Sequence, residues 1–286
     1  MKLKQFWHQN LQWILFIWCI SSLILRPGWV IFFAGVLGWV AIVYLTAPGV
    51  FWTYFGMLSP SSRFDTAKSA RQLQRALDKK PLIPQPYINL GVLYAREKKW
   101  AEAIPLFEEA LKLATKRDMA ETLVILGIAY RENDQPDAAL KMLDQAVAAG
   151  MKTAKVYLNY ALTYMKQSRL PEALDAAAKA RSRNLNATEP VLVMGRIHFA
   201  LEDYESAKDD YDWAIAHTSW PVESYYWLGR AELELGQTEA AVEHLRKAVE
   251  RITEDPLLSD ITVSEASVWL EKAEKAVPPD SPATAE

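Results

Sequence analysis

The sequence has little cysteine and no excess of charge of one sign. Cys19 is its single cysteine, so no disulfide can form within the chain. The 32 Lys and Arg side chains nearly balance the 35 Asp and Glu, for a net charge of −3. Because phosphate binding needs a basic face, we expect no nucleic-acid partner. Strand patterns are also nearly absent, since apolar residues recur mainly with helical spacing. The sequence therefore predicts an all-α protein.

Residue combinations that perform chemistry are missing as well. The four histidines are scattered, and none has a second ligand at the spacing of a metal site; they are His8, His198, His217 and His244. No glycine-rich phosphate loop and no nucleophile motif occurs. We expect no enzymatic activity, no catalytic residue, no cofactor and no metal. His198 is expected to be a core residue.

The amino-terminal part, in contrast, is strongly apolar. Residues 11–25 and 29–47 are almost entirely apolar, and Arg26-Pro27-Gly28 separates them. The second run would form a helix about 28 Å long, close to the thickness of the hydrocarbon core. The first run reaches spanning length if it begins near Trp7. We expect a two-helix transmembrane hairpin, with spans at about 7–25 and 29–47, in a membrane anchor over residues 1–58.

Two alternatives for the first run remain open. It could lie in the membrane interface while only residues 29–47 span, or it could be a signal peptide. No small-x-small cleavage site precedes Arg26. An aromatic cluster follows the second run: Phe51, Trp52, Tyr54 and Phe55. Because Trp and Tyr favour the headgroup level, residues 50–58 indicate an interfacial segment, the alternative being a longer second helix with a proline kink.

Flanking positive charges predict the orientation of the hairpin. Lys2 and Lys4 precede it, and the turn between the spans has only Arg26. Four basic residues follow it: Arg63, Lys68, Arg71 and Arg75. Because cytoplasmic flanks carry the excess of Lys and Arg, both ends are expected in the cytoplasm. The chain would then be a multi-pass protein of the inner or cell membrane, with the lipid bilayer as a partner and its soluble part facing the cytoplasm.

A pattern of small and large residues recurs between residues 84 and 255. A small residue after a Leu-like position falls at 91, 127, 161, 195 and 229, so the spacings are 36, 34, 34 and 34. In each copy, a second group of small and large residues follows this position; in the first copy it is Ala103, Phe107 and Ala110. A generic Ala-rich bundle has no reason to keep this period. The pattern resembles the tetratricopeptide repeat family.

The resemblance implies a right-handed α-solenoid of antiparallel helix pairs. Its five units would occupy residues 84–117, 120–153, 154–187, 188–221 and 222–255. A linker and amino-terminal capping helix are expected over 59–83, a carboxyl-terminal capping helix over 256–277, and a disordered tail over 278–286. Caps are expected because a terminal repeat would otherwise expose an apolar face.

The resemblance also implies that the first helix of each unit lines a concave, protein-binding groove. The predicted contact residues are Asn89, Arg96, Arg131, Asn159, Lys166, Arg196, Phe199, Tyr226, Trp227 and Arg230. Family members that hold a terminal carboxylate use a Lys and two Asn, but Ile88 replaces the leading Lys here. We therefore expect no free carboxyl terminus as ligand. The groove suits a protein or peptide segment with apolar anchors and acidic residues.

These features predict a membrane-tethered scaffold or adaptor that binds protein partners. Two other functions remain open. The chain could assemble into a homo-oligomer when a cap or tail fills the groove of the next molecule. It could also be an accessory subunit of a membrane enzyme or transporter, contacted through the hairpin.

Overall fold

The structure, a computed structural model, describes residues 66–255, 259 and 261–277. The predicted transmembrane hairpin, the aromatic segment over 50–58, the linker up to residue 65 and the tail over 278–286 lie outside the described residues. Within the described ranges, no helix combines the length and the apolar composition needed to cross a membrane.

Every regular element among the described residues is an α-helix, which confirms the prediction of an all-α fold. The twelve helices are α1 Thr66–Leu77, α2 Gln85–Arg96, α3 Trp100–Leu113, α4 Lys116–Glu132, α5 Pro136–Ala148, α6 Ala154–Lys166, α7 Leu170–Arg183, α8 Thr188–Ala200, α9 Tyr204–His217, α10 Val222–Glu234, α11 Thr238–Glu254 and α12 Val263–Ala276. They form two compact units, and the second begins at Lys152.

In the first unit, each helix from α1 to α5 packs against the next one along the chain. The core between α3 and α4 contains the buried side chains of Phe107 and Leu126. Gly91 of α2 lies directly against the Phe107 ring, since a Cβ at this glycine would be 2.5 Å from a ring carbon. The glycine is therefore needed for the two helices to approach closely.

In the second unit, consecutive helices from α6 to α12 also pack against one another. In addition, α6 contacts α8, α8 contacts α10 and α10 contacts α12. The first helices of successive pairs thus form one layer, and α12 continues that layer. Close approaches recur here: a Cβ at Gly195 would be 2.7 Å from the Tyr211 ring, and one at Gly229 would be 2.7 Å from Leu245.

The turn inside each pair has the same conformation in all five pairs. In each turn one residue has a positive φ; these residues are at positions 98, 134, 168, 202 and 236. The residue after it donates its backbone N–H to the carbonyl five positions earlier, as in the 2.9 Å bond from Lys99 to Tyr94. This left-handed turn satisfies carbonyls that the end of the first helix leaves without a partner.

Candidate protein-binding site

Three predicted contact residues lie in the first unit. Arg96 is exposed at the end of α2. Asn89 accepts a 2.8 Å hydrogen bond from Gln85, and its buried Nδ2 has no acceptor among the described residues. Arg131 forms an ion pair of 2.8 Å with Glu132, its neighbour in sequence.

Two of the predicted contact residues in the second unit are buried, in contrast to the prediction. Asn159 donates its side-chain N–H to the Lys155 carbonyl one turn earlier, which turns it into the helix layer. Tyr226 is 1% exposed, and its hydroxyl donates a 3.0 Å hydrogen bond to Glu265 of α12. Burial raises the pKa of the Tyr226 phenol. Tyr226 thus links α10 to α12, whereas the Asn159 bond to Lys155 lies within α6, and both side chains are buried. Lys166 is exposed at the end of α6.

Arg230 is enclosed by aromatic rings. Its guanidinium carbon lies 4.2 Å from the centre of the Trp269 ring and 4.4 Å from that of Trp227. The rings of Phe199 and Tyr226 are 5.1 Å and 5.4 Å away. A cation at such distances is attracted by the negative faces of the rings. Arg230 therefore joins α8, α10 and α12, and Trp269 is a part of this cluster that the repeat pattern does not predict.

Trp227 connects this cluster to the surface. Its ring meets Phe199 edge to face at 5.3 Å, and Tyr226 in the same way at 5.4 Å. The Arg196 guanidinium lies 5.9 Å from the centre of the Trp227 ring. The structure thus brings together five predicted residues of the second unit: Arg196, Phe199, Tyr226, Trp227 and Arg230.

A cavity of about 680 Å³ opens beside Trp227. Its lining residues come from α8, the α9–α10 connection, the start of α10, the α11–α12 connection and the first turn of α12. They are Leu192, Arg196, Thr218, Trp220, Val222, Glu223, Ser224, Trp227, Ser259, Ile261 and Glu265. This volume is within the range of ligand-binding pockets.

The lining of the cavity is apolar on its walls and polar at a few places. Leu192, Trp220 and Ile261 contribute apolar surface, and three hydroxyl groups come from Thr218, Ser224 and Ser259. The charged groups are Arg196, Glu223 and Glu265. Arg196 Nη1 lies 3.8 Å from a carboxylate oxygen of Glu223, beyond hydrogen-bond distance. The cavity can therefore take an apolar side chain and still offer a cation to an acidic group.

Most of the cavity was not predictable from the repeat pattern. Arg196 and Trp227 were predicted because each lies on the first helix of a repeat, which the family resemblance places along the groove. Trp220 and Ser259 lie in connections between helix pairs, where the pattern specifies no residue.

The titratable groups of the described residues do not form a metal site. No group of three or more His, Cys, Asp or Glu side chains in this part of the chain is placed to hold a metal ion. His198 is partly buried and its Nδ1 is 2.8 Å from Asp210, in agreement with a core role. Burial is the main cause that raises the pKa of the Asp210 carboxyl, and the hydrogen bond to His198 opposes it.

Comparisons with known proteins agree with this architecture. Models described as tetratricopeptide repeat match residues 82–150, 126–187 and 192–256. A tetratricopeptide repeat protein from Parabacteroides merdae is similar in structure at 12% identity with a TM-score of 0.64, covering 92% of this chain and 98% of that one. Yeast Tom70 is similar at 12% identity with a TM-score of 0.60, covering 95% of this chain and 55% of that one.

A third similar structure is the APC/C hetero-tetramer Cut9-Hcn1, at 16% identity with a TM-score of 0.63. The match covers 82% of this chain but 44% of that one, so this chain spans less than half of its length. No curated relative matches the sequence. At these identities the likeness to solved structures shows the fold alone. The family models, however, together match more than half of the residues, and the chain belongs to the tetratricopeptide repeat family.

Proposed function

We propose that this protein is a membrane-tethered scaffold that binds segments of partner proteins at the cavity beside Trp227. Tetratricopeptide repeat proteins generally act as scaffolds for protein interactions. The observation that supports this particular site is the cavity of about 680 Å³, which has an aromatic wall and an adjacent arginine. Trp, Tyr and Arg contribute most of the energy at protein interfaces.

The lining determines the chemistry of the proposed partner. A bulky apolar side chain would fill the space between Leu192, Trp220 and Trp227. An acidic group next to it would pair with Arg196, which Glu223 approaches only to 3.8 Å. The hydroxyl groups of Thr218 and Ser259 would bond to the backbone of the segment. The partner is therefore an extended or helical segment with an apolar anchor beside an acidic residue.

The membrane tether is the second part of the proposal. The apolar runs over 11–25 and 29–47 support it, and the flanking charges support a cytoplasmic position of the repeats. A cysteine placed at Ser61, with Cys19→Ser, should resist a membrane-impermeant thiol reagent in intact cells and react after permeabilisation. Ready labelling in intact cells would place the repeats on the other side. Recovery of the chain in the soluble fraction would contradict the tether itself.

The binding site is tested separately with a displayed library of random peptides. Selection on the purified full-length protein should enrich peptides with an aromatic or large aliphatic residue next to Asp or Glu. Binding of the enriched peptides is then measured by fluorescence polarisation. Ser259→Trp should fill the cavity and weaken binding at least about tenfold, the effect of losing one interface hot spot.

Ser264→Trp is the matched control, since Ser264 is exposed in the first turn of α12 and does not line the cavity. It should bind the selected peptides as the unchanged protein does. Equal affinity of the Ser259→Trp variant would show that the peptides bind elsewhere. Failure to enrich any peptide would contradict the proposed class of partner.

A further inference from the structure

Helix α1 has an unusual charge composition. Its twelve residues include Lys68, Arg71 and Arg75 and no acidic residue. Lys79 and Lys80 follow directly, and Asp78 is the one acid in residues 66–80. The whole chain has a net charge of −3, so this short segment is opposite in sign to the rest. A local basic segment of this kind indicates an anionic partner.

Arg71 and Arg75 share one face of α1. Leu73 and Ala76 are buried against α2. Arg71 and Arg75 are four residues apart, so they lie one above the other on the side away from this contact. Both are exposed, and Lys79, two residues after the helix ends at Leu77, is exposed as well. The amino-terminal cap of the array therefore presents a row of cations to its surroundings.

These cations are not neutralised by the described part of the protein. No described carboxylate forms an ion pair with Arg71, Arg75, Lys79 or Lys80. Some exposed lysines on other helices do have such a partner one turn away, as Lys112 has in Glu109 and Lys275 in Glu271. The row on α1 is available for an external anion.

The position of α1 in the chain selects the kind of anion. Its first residue follows the second apolar run, which ends at Ala47, by 19 residues. An extended chain of that length reaches at most about 65 Å, so α1 cannot lie farther than this from a bilayer that holds residues 29–47. An extended nucleic acid would meet the net negative charge of the remaining chain, whereas a flat anionic surface can contact one helix face alone.

We propose that the exposed face of α1 with Arg71 and Arg75, together with Lys79 just after the helix, binds anionic lipid headgroups at the membrane surface. The inference rests on the proposed tether, which places this face near a bilayer. Contact with anionic lipid would fix the amino-terminal end of the repeats against the membrane. Each Lys or Arg at an anionic surface strengthens binding about fivefold, so three of them change it about a hundredfold.

The test uses the full-length protein with Cys19→Ser and an environment-sensitive fluorophore at Gln74→Cys, an exposed position on this face. The protein is reconstituted with vesicles of phosphatidylcholine alone or with added phosphatidylglycerol. Flotation with both vesicle types reports the tether. A shift in the emission of the fluorophore with the mixed vesicles, reversed by high salt and absent with phosphatidylcholine alone, reports binding by α1.

Two triple variants complete the experiment. Arg71→Gln, Arg75→Gln and Lys79→Gln together should abolish the emission shift without changing flotation. The matched control removes three exposed lysines elsewhere: Lys116→Gln, Lys141→Gln and Lys152→Gln. It should keep the shift.

The other possible results of the experiment distinguish the lipid contact of α1 from the membrane tether. Flotation with both vesicle types without an emission shift overturns the lipid contact and leaves the tether standing. Flotation only with anionic vesicles, lost in the α1 variant, supports the contact and contradicts the tether. Flotation with neither contradicts both. A shift produced by a single-stranded oligonucleotide but not by anionic vesicles would assign the face to nucleic acid and overturn the proposal.

Discussion

His244 Nδ1 lies 2.8 Å from a carboxylate oxygen of Glu232, and this contact joins α11 to α10. The preceding pair has an equivalent contact, in which His198 of α8 lies 2.8 Å from Asp210 of α9. Glu232 follows His198 by 34 residues, and His244 follows Asp210 by the same number. In the earlier pair the histidine is on the first helix and the carboxylate on the second. In this pair the two residue types have changed places, and the contact between the helices is kept.

This equivalence predicts the outcome of an exchange experiment. Glu232 is 2% exposed, so His244→Ala would leave a buried carboxylate without its partner. We expect this variant to lose about 1–3 kcal/mol in its free energy of unfolding. The double variant Glu232→His with His244→Glu restores the contact in the orientation of the preceding pair and should recover most of that loss. Urea denaturation followed by circular dichroism measures both.

His217→Ala provides the control for the removal of an imidazole. His217 is exposed; its Nδ1 bonds to the Trp213 carbonyl one turn earlier, and its ring stacks on the Trp213 ring at 3.9 Å. Its loss should lower the unfolding free energy by about 0.5–1 kcal/mol, less than the loss of His244, because it leaves no buried carboxylate without a partner. An exchange variant as unstable as His244→Ala would show that the two places in the pair are not equivalent.

The glycines at helix crossings should respond differently to alanine. At Gly91 a Cβ would be 2.5 Å from the Phe107 ring, so Gly91→Ala should cost about 1–3 kcal/mol through overpacking. At Gly127 the nearest atoms are the Ala139 carbonyl oxygen at 3.3 Å and Leu143 at 3.4 Å. Because alanine favours a helix by about 1 kcal/mol over glycine, Gly127→Ala should be nearly neutral. Chemical denaturation compares the two variants.

The cause of the Gly91 effect can be checked in the same series. Phe107→Leu places at this crossing the residue type that the second pair has at Leu143. With that change present, adding Gly91→Ala should cost much less than it does alone, because the ring is gone. If the two losses of unfolding free energy were additive, the added methyl group of Gly91→Ala would not be clashing with the Phe107 ring.

Tyr130 should contribute to a loss of stability in alkali. Burial, followed by the hydrogen bond to Glu108, raises the pKa of its phenol from 10.0 to about 12. A raised pKa means that the folded state holds this proton more tightly than the unfolded state. The resulting stability is complete below pH 10 and is lost as the pH rises through 12. Tyr130→Phe should therefore flatten the fall in melting temperature between pH 10 and 12, and an unchanged fall would contradict this assignment.

Arg230 should hold α12 in a way that lysine cannot replace. A planar guanidinium can stack on several rings at once, whereas an ammonium is a strongly hydrated point charge. Arg230→Lys should increase amide hydrogen exchange in residues 263–276 about tenfold, which corresponds to roughly 1.4 kcal/mol of local stability. Mass spectrometry of peptides from α12 measures this effect, with α6 peptides as an internal reference.

Arg246→Lys is the matched control for Arg230, because Arg246 also contacts α12. It lies 3.2 Å from Glu274 in an exposed ion pair, which contributes at most about 1 kcal/mol. Exchange in α12 should change little in this variant. An equal increase in both variants would show that the aromatic cluster has no special role.

The sequence predicts the repeats well because steric contacts decide the residue type at each helix crossing. Gly91 and Gly195 meet aromatic rings, so a small residue must recur there, and its period is visible in the chain. The groove residues are harder to predict, since the equivalent place in a helix can face outward or inward. Tyr226 turns inward because α12 supplies Glu265 as a hydrogen-bond partner. Glu265 lies beyond the last repeat, and the repeat pattern specifies no residue type there.

The left-handed turn inside each pair has a consequence for how such a chain can change its length. In each turn the backbone hydrogen bond is made within the pair, as in the 2.8 Å bond from the Gln237 N–H to the Glu232 carbonyl. This bond does not depend on a neighbouring pair. A segment that runs from residue 202 to residue 236 therefore begins and ends in the same local geometry. Duplication or deletion of one such segment leaves the conformation of every turn unchanged, so evolution can lengthen or shorten the array by whole units.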